Sequence, residues 1–273
     1  MSQTYRTISI LVTAGTLLLS GCAPPSNETA ASAPTEAADF SNGLPPVFAQ
    51  ALEAHGGLAQ WRAQQRLEYD VYRKGTLLDH QLVALRSRKV LLTGDDYTIG
   101  YDGTHHWVSP DTAAFPGDVR FYHNLQFYFM ALPFLFADPG IRYEPLKPRT
   151  IREKTYDGVR ISFDPGVGDA SDDAYLAYFD PDTHHLTWLL YTVTYFSGAP
   201  NEKYSARWYQ AWHEVNGLLL PERVISYCWE ENALGEVRDT TVYRNVEISN
   251  IPPDESMFLM PNEAMAVGES EVE

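Results

Sequence analysis

The sequence predicts a mainly β protein with minor α content, built around one antiparallel sheet. Apolar and polar residues alternate with a period of two over successive short segments, the first of which begins at Leu67. Turn signals separate these segments, and Asn216-Gly217 is the strongest of them. Parallel strands would need long crossovers, whereas little helical pattern lies between these segments. We therefore expect a string of hairpins that forms an antiparallel meander.

The first 21 residues are predicted to be a lipoprotein signal peptide. Arg6 supplies a basic start, and the apolar run Ile8–Leu19 is too short to span a bilayer. The run leads into Leu17–Cys22 (LLLSGC), which resembles the lipobox of bacterial lipoproteins. The resemblance implies that Cys22 is the lipid attachment site and that the protein contacts a membrane through its N-terminal lipid. An ordinary secretory signal peptide is the alternative.

The residue after Cys22 bears on localisation within the cell envelope. Lipoproteins retained in an inner membrane typically carry Asp at this position, and this chain has Ala23. In a cell with two membranes, lipoprotein sorting therefore implies an outer-membrane protein that faces the periplasm.

Composition divides the rest of the chain into a tether, one domain and a tail. Residues 22–46 contain few large apolar side chains and are predicted to form a disordered tether. Residues 47–262 suit a single β domain, and residues 263–273 are predicted to be an acidic, flexible tail. The formal net charge of −16 argues against nucleic acid as a partner. With lipid on Cys22, Cys228 has no partner for an internal disulfide.

Two short helices are predicted at the start of the domain. Apolar residues recur at steps of three and four within Val47–Arg66, as they do on one face of a helix. The pair Gly56-Gly57 interrupts this stripe. We therefore expect one helix that ends near His55 and a second helical turn that carries Leu58 and Trp61.

The predicted strands follow from the alternation and from the turns between the segments. Asp157-Gly158 predicts a further two-residue hairpin, because Gly adopts the positive φ that such turns require. The strands are predicted at Leu67–Tyr72, Gln81–Leu92, Tyr97–Tyr101, Thr104–Ser109, Thr150–Tyr156, Val159–Phe163, Tyr175–Phe179, Leu186–Phe196, Tyr204–Val215, Leu218–Trp229 and Glu236–Ile248.

One segment, Asp118–Ala137, breaks the β pattern. It is too aromatic on all sides for a surface helix. Pro133 would end a helix there, and Asp138-Pro139-Gly140 ends the unit. We expect a short buried helix and loop, inserted between two strands and packed against or inside a curved sheet.

Two strand pairs resemble those of lipoprotein carriers of the LolA and LolB kind. Tyr101–Trp107 (YDGTHHW) followed by Ser109–Asp111 resembles their "DGKTLW…DP" pair, and Val215–Pro221 (VNGLLLP) resembles a pair found late in that superfamily. The chain is more similar still to an uncharacterised lipoprotein family with the same fold, through its His-Gly-Gly helix end and the segment Leu132–Gly140.

This resemblance implies a more specific architecture than the meander alone. It implies a single strongly curved antiparallel sheet, an incomplete β-barrel, with an N-terminal helix and a central helix/loop segment over the concave face. In the superfamily this face holds acyl chains. A soluble carrier is not lipidated, so a chain anchored through Cys22 looks more like an acceptor or a fixed binder than a shuttle.

Neither an enzyme nor a cofactor is predicted. The sequence lacks a G-x-S-x-G elbow, a P-loop and an H-E-x-x-H pair. Neighbours on a strand point to opposite faces, so His105-His106 cannot chelate one ion together, although His184-His185 lies beside a turn. The Asp-rich loop 164–173 matches no EF-hand, which favours a solvated acidic loop, and no metal is predicted.

The aromatic content, 13% of the residues, is the remaining signal. Apolar side chains in surplus on the concave face of a half-barrel would line a cavity. We expect this face to bind an apolar ligand such as a lipid, a lipopeptide or an acyl chain. The alternatives are a protein-interaction or scaffold lipoprotein with a fully packed core and, third, a metal-dependent hydrolase. The candidate ligand-binding residues are Trp107, Phe121, Leu125, Phe129, Trp188, Trp208 and Trp212.

Overall fold

The computed structural model describes residues 43–166, 172–197 and 203–268. The predicted signal peptide, the lipid attachment site Cys22 and most of the tether lie outside the described residues, as does the middle of the Asp-rich loop. Within the described residues, thirteen strands form one antiparallel sheet that is not closed into a barrel. The predicted mainly β, antiparallel fold is confirmed.

The helices lie in three places along the chain. Two short α-helices precede the sheet, α1 (Pro46–Ala54) and α2 (Leu58–Ala63). A third, α3 (Val119–Met130), is followed by a 3-10 helix at Phe134–Ala137, and a second 3-10 helix spans Glu255–Phe258.

The strands range in length from 3 residues in the last strand to 17 residues in the one before it. They are β1 (Arg66–Arg73), β2 (Thr76–Ala84), β3 (Lys89–Thr93), β4 (Thr98–Tyr101), β5 (His106–Ser109), β6 (Ile141–Ile151), β7 (Lys154–Phe163), β8 (Tyr175–Phe179), β9 (Leu186–Tyr191), β10 (Ser205–Val215), β11 (Leu218–Glu230), β12 (Ala233–Ser249) and β13 (Met265–Val267).

The sheet consists of two meanders joined side by side. Its strand order is β13-β5-β4-β3-β2-β1-β12-β11-β10-β9-β8-β7-β6, and the junction is the pairing of β1 with β12. The connection that carries α3 runs from β5 to β6, which lie at opposite sides of this order. The connection must therefore cross a whole face of the sheet.

The sheet curves around the helices. A single cluster of buried apolar side chains contains Phe48 of α1, Phe127 of α3, Val90 of β3 and Ile161 of β7. β3 and β7 are far apart in the strand order, so both reach the same cluster because the sheet bends. We call the face with this cluster the concave face and the opposite one the outer face. The predicted placement of the helices over the concave face agrees with this arrangement.

The break between the first two helices is confirmed, and it has a packing role. α1 ends at Ala54 and α2 begins at Leu58, with φ of +103° at Gly56 and +87° at Gly57. A Cβ on Gly56 would lie 2.0 Å from the carbonyl oxygen of Gly217. The helix break therefore packs directly on the β10–β11 hairpin, whose Asn216-Gly217 turn is confirmed as well.

The prediction of one strand over Gln81–Leu92 is wrong. This region holds the end of β2 and the start of β3, joined by a tight turn in which Arg88 adopts a φ of +60°. The turn contains no Gly, Pro, Asn or Asp, and Leu85 continues the apolar run into it. Ser87 is the single residue of this turn that favours turns, so the sequence carried only a weak turn signal here.

The hairpin predicted at Asp157-Gly158 is also wrong. Both residues lie inside β7, opposite β8. The turn between β6 and β7 falls five residues earlier, at Arg152-Glu153, where Arg152 adopts a φ of +58°. A Cβ on Gly158 would lie 2.8 Å from the ring of Tyr178. This glycine is required for the close approach of an aromatic ring and not for a turn.

Both ends of the strand order differ from expectation. The sequence predicts a strand only from Thr150 onward, whereas β6 begins at Ile141. It contains Pro145 and Pro148, which are tolerated because β6 is an edge strand. At the other edge, Met265–Val267 pairs with β5, although this part of the chain was predicted to be a flexible tail. No helix in the described part of the chain is long and apolar enough to cross a membrane.

Candidate functional site

Helix α3 lies across the concave face and presents different chemistry to its two sides. The side chain of Asp118 caps its N-terminus by accepting a 2.8 Å hydrogen bond from the backbone N–H of Phe121. Residues at steps of four share one face of a helix, so Phe121, Leu125 and Phe129 form one apolar stripe. The polar side chains of Tyr122 and Gln126 form a second stripe beside it.

The polar stripe is tied to a buried carboxylate on the sheet. Asp79 of β2 is fully buried, and its Oδ2 accepts hydrogen bonds from the hydroxyls of Tyr122, at 2.6 Å, and Tyr97, at 2.8 Å. Its Oδ1 accepts from Nε2 of Gln81 at 2.8 Å. Burial, and then the charge of Asp79, raise the pKa of Tyr122, so its hydroxyl stays protonated and donates. Asp79 is satisfied without a basic partner.

Two further hydrogen bonds fix the second half of α3. The hydroxyl of Tyr243 on β12 donates to Oε1 of Gln126 at 3.2 Å. The hydroxyl of Tyr209 on β10 donates to the backbone carbonyl of Phe129 at 3.1 Å. Each bond is fully buried, so its loss would leave a polar group without a partner. α3 is therefore attached to the sheet at both of its halves.

The apolar stripe faces an aromatic wall on β9 and β10. The ring centroid of Phe129 lies 5.1 Å from that of Tyr191. The guanidinium of Arg207 lies over the Phe129 ring at 3.6 Å and donates from Nε to the Tyr191 hydroxyl at 3.2 Å. Arg207 is only 7% exposed. A buried cation thus lies at the inner end of the stripe.

The outer end of the stripe reaches the surface of the protein. The ring of Phe121 packs against Tyr195 at 5.2 Å and against Phe196 at 4.9 Å. Phe121 and Tyr195 are partly buried, whereas Phe196 is 63% exposed. We call these three residues the aromatic rim.

Three of the predicted ligand-binding residues lie on the outer face instead. Trp188 and Trp208 stack on each other at 5.7 Å within a separate cluster, with the guanidinium of Arg152 4.5 Å above the Trp208 ring. Trp107 is buried beneath the C-terminal segment, where its Nε1 donates to the carbonyl of Phe258 at 3.0 Å. Alternation along β5, β9 and β10 accounts for this placement, because the neighbours of these residues occupy the concave face.

Trp212 does lie on the concave side, but at the other end of β10. Irregularities in the β10–β11 register on both sides of Ala211 place Tyr209 and Trp212 on one face, with stacked rings 5.5 Å apart. The ring of Trp212 lies 4.5 Å from that of His55, near the helix break. Of the predicted residues, the structure therefore brings together Phe121, Leu125 and Phe129 and separates them from Trp212.

His55 is a structural histidine. It is fully buried; its Nδ1 donates to the carbonyl of Leu219 at 3.1 Å, and its Nε2 accepts from the backbone N–H of Leu186 at 3.1 Å. The N–H of Leu186 can only donate, so Nε2 must be unprotonated. Burial lowers the pKa of His55 to about 3. This neutral side chain joins the end of α1 to β9 and β11.

The histidine pairs do not form a metal site in the described residues. His106 contacts His123 of α3, with the two Nε2 atoms 3.4 Å apart, while His185 lies near His55. No group of three or more His, Cys, Asp or Glu residues in the described ranges could hold a metal ion. The Asp-rich loop falls partly outside these ranges.

Comparison with known proteins gives similarity in structure only. No protein-family model matches the sequence, and no curated protein matches it at a significant level. A DUF1329 family protein of Desulfovibrio piger is 11% identical with a TM-score of 0.48, over 78% of this chain and 95% of that one. A LolA superfamily protein of Nitrosomonas europaea is 10% identical with a TM-score of 0.36, over 72% of this chain and 89% of that one. The lipoprotein LppX of Mycobacterium tuberculosis is 11% identical with a TM-score of 0.25, over 77% of this chain and 99% of that one.

A LolA superfamily protein is among these neighbours, and the motifs at Tyr101–Trp107 and Val215–Pro221 resemble the same superfamily. With identities of 10–11% and TM-scores below 0.5, the similarity is confined to the general fold. What the site of this chain does is therefore inferred from its own residues.

Proposed function

We propose that this protein is a lipid-anchored lipoprotein of the cell envelope whose half-barrel binds an apolar chain, such as a lipid or acyl chain, without catalysis. The observation that carries the proposal is the apolar stripe of α3, which runs from the exposed aromatic rim into the concave face. Burial of apolar surface contributes about 25 cal/mol per Å². A ligand that covers the rim and extends along the stripe would gain this free energy.

The inner end of the concave face leaves less room for a ligand than its outer end. Phe127, Phe129 and Met130, in the second half of α3, are almost fully buried, whereas Phe121 and Leu125 are only partly buried. The ligand therefore enters between α3 and the segment that follows β9. The first half of α3 moves outward to admit it, since fewer of its side chains are locked in the core.

The test is detergent-free native mass spectrometry of the full-length chain carrying Cys22→Ser, titrated with sodium decanoate. We expect a saturable adduct of one decanoate per chain. Phe121→Asp, which places a charge at the rim, should weaken binding at least tenfold. The matched control Met257→Asp introduces the same charge at an exposed position far along the chain and should leave binding unchanged. Failure to detect a saturable adduct would overturn the proposal.

Lipid anchoring is proposed from the LLLSGC sequence and needs its own test. Cys22→Ser removes the thiol that would carry the acyl chains. The unmodified chain should stay with membranes after salt and carbonate washes, and the variant should be left either unprocessed or soluble. A processed variant that still floats with membranes would contradict anchoring through Cys22.

A protein-interaction role is the second candidate, and one surface favours it. The C-terminal segment exposes large apolar side chains over a short stretch, where monomeric proteins usually show few. These are Ile251, Met257, Leu259, Met260 and Met265. If decanoate does not bind, a partner protein on this surface becomes the leading proposal.

A further inference from the structure

One charged side chain, that of Arg207, lies on the concave face among aromatic rings. Arg207 lies on β10 between Ala206 and Trp208, which face outward, so its side chain points into the half-barrel. It is 93% buried, as its 7% exposure implies. Its guanidinium is surrounded by aromatic rings and forms one hydrogen bond, to the Tyr191 hydroxyl.

No carboxylate balances this charge in the described part of the chain. The ion pairs there do not include Arg207, and the two buried carboxylates are engaged elsewhere. Asp79 accepts from tyrosines, and Asp173 accepts from the backbone N–H of Thr194 at 2.7 Å. A guanidinium keeps its charge at any pH that a protein survives, and burying a charge without a counter-ion is costly. For stability alone, an apolar residue would serve better here.

The two terminal nitrogens of Arg207 are available for a ligand. Neither Nη1 nor Nη2 has an acceptor among the described residues. A guanidinium presents these groups as a planar fork that matches a carboxylate or a phosphate with two parallel hydrogen bonds.

We propose that Arg207 binds the anionic head group of the apolar ligand, which makes the ligand a single-chain amphiphile with a carboxylate or phosphate head. This inference rests on the proposed function and specifies its ligand class. Phe129, against which the guanidinium packs, is also the inner residue of the α3 stripe. Phe121 lies eight residues before Phe129, which corresponds to about 12 Å along the helix axis. A ligand with its head at Arg207 would thus extend its chain past Leu125 to the aromatic rim.

The experiment compares three probes with the same ten-carbon chain: decanoate, decyl phosphate and decanol. Their affinities for the full-length Cys22→Ser chain are measured by titration calorimetry at pH 8. Decanoate or decyl phosphate should bind roughly 10- to 100-fold more tightly than decanol, the range expected for charge-assisted hydrogen bonds. A tenfold preference between the two anions identifies a fatty acid or a phosphate lipid as the source of the head group.

Variants at Arg207 then assign the preference to this side chain. Arg207→Met should reduce decanoate affinity to the level of decanol, and Arg207→Lys, which keeps the charge but not the fork, should lose less. Arg152→Met is the matched control, because it removes a guanidinium stacked on aromatic rings of the outer face. It should bind all three probes like the parent chain.

Stability offers an independent readout of the same charge. Without ligand, Arg207→Met should have a higher melting temperature than the parent chain, because it removes a buried charge that has no counter-ion. A lower melting temperature would mean that Arg207 serves the fold, and it would count against the proposal.

The outcomes separate this inference from the proposed function. If none of the probes binds, the proposed function fails. If decanol binds as tightly as the anions, or if Arg207→Met and Arg207→Lys both bind decanoate like the parent chain, Arg207 is not the head-group site while apolar binding stands. Should Arg207→Met fail to fold, the three-probe comparison and Arg207→Lys still decide.

Discussion

The hydroxyl of Tyr122 on α3 donates a 2.6 Å hydrogen bond to Oδ2 of Asp79, a fully buried carboxylate on β2. The same oxygen accepts a hydrogen bond from Tyr97, which belongs to the sheet side of the contact. Tyr122 thus links the first half of α3, the helix that covers the concave face, to the floor of that face. The strength of the hydrogen bond between Tyr122 and Asp79 should determine how readily the first half of α3 moves away from the sheet.

The first prediction concerns this link. Tyr122→Phe removes one donor from Asp79 and should destabilise the fold by about 1–3 kcal/mol, the cost of leaving a buried charged acceptor short of a partner. Amide hydrogen exchange in the first half of α3 should become faster, because the helix loses its attachment there. The variant should also bind and release decanoate faster.

Tyr97→Phe is the matched control for this prediction. It removes a donor from the same carboxylate oxygen but not from α3. It should lower the free energy of unfolding by a similar amount, but amide hydrogen exchange in α3 should not become selectively faster. Equal exchange rates of α3 in both variants would show that Tyr122 does not hold the helix.

The second prediction is a loss of stability in acid that arises from His55. In the unfolded chain this side chain takes up a proton below a pH of about 6.5. In the folded chain its pKa is about 3, so it stays neutral until the pH is much lower. Stability should therefore fall as the pH falls through this window, by about 2 kcal/mol between pH 7 and pH 5. Denaturant unfolding curves at several pH values measure this slope.

His55→Gln tests whether this histidine is the cause. Gln does not titrate, so the variant should be less stable at pH 7 but should show a smaller change between pH 7 and pH 5. Part of the slope should remain, since burial also lowers the pKa of His185. An unchanged slope in the variant would contradict the assignment.

The third prediction concerns the contact of the helix break with the hairpin. Gly56→Ala would place a Cβ 2.0 Å from the carbonyl oxygen of Gly217, so either α1 or the hairpin must shift. We expect a loss of about 3–5 kcal/mol in the free energy of unfolding. Gly217→Ala, with positive φ but open space around it, should cost only about 1 kcal/mol. Similar costs for the two variants would exclude the steric explanation.

The fold could be predicted from the sequence wherever local chemistry and tertiary packing agree. The period of three to four before His55, the alternation from Leu67 and the Asn216-Gly217 turn each specify one local structure, and each is confirmed. Asp157-Gly158 led to a wrong turn prediction, because Gly158 makes room for the ring of Tyr178 and does not form a turn. Tyr178 lies close to Gly158 in space but not in sequence. The turn at Arg88 was not predicted because Ser87 is the single residue in it that favours turns.

The candidate site was only partly accessible from the sequence. The stripe of Phe121, Leu125 and Phe129 follows from helical spacing and could be identified. Trp188 and Trp208 could not be assigned to a face, because β9 and β10 carry apolar residues on both faces. Arg207 was overlooked. Neighbours on a strand point to opposite faces, so a Trp208 that faces outward would place the Arg207 side chain on the concave face, and this was the available signal.

Photoaffinity labelling tests the central claim, that the concave face binds an apolar chain, most directly. A fatty acid with a diazirine near the end of its chain is irradiated with the full-length Cys22→Ser protein, and the labelled peptides are mapped by mass spectrometry. We predict saturable labelling within Val119–Leu125 and at Tyr195 and Phe196, suppressed by excess decanoate. Labelling that maps instead to the outer face around Trp208 or to Ile251–Met265, or that does not saturate, would contradict the account.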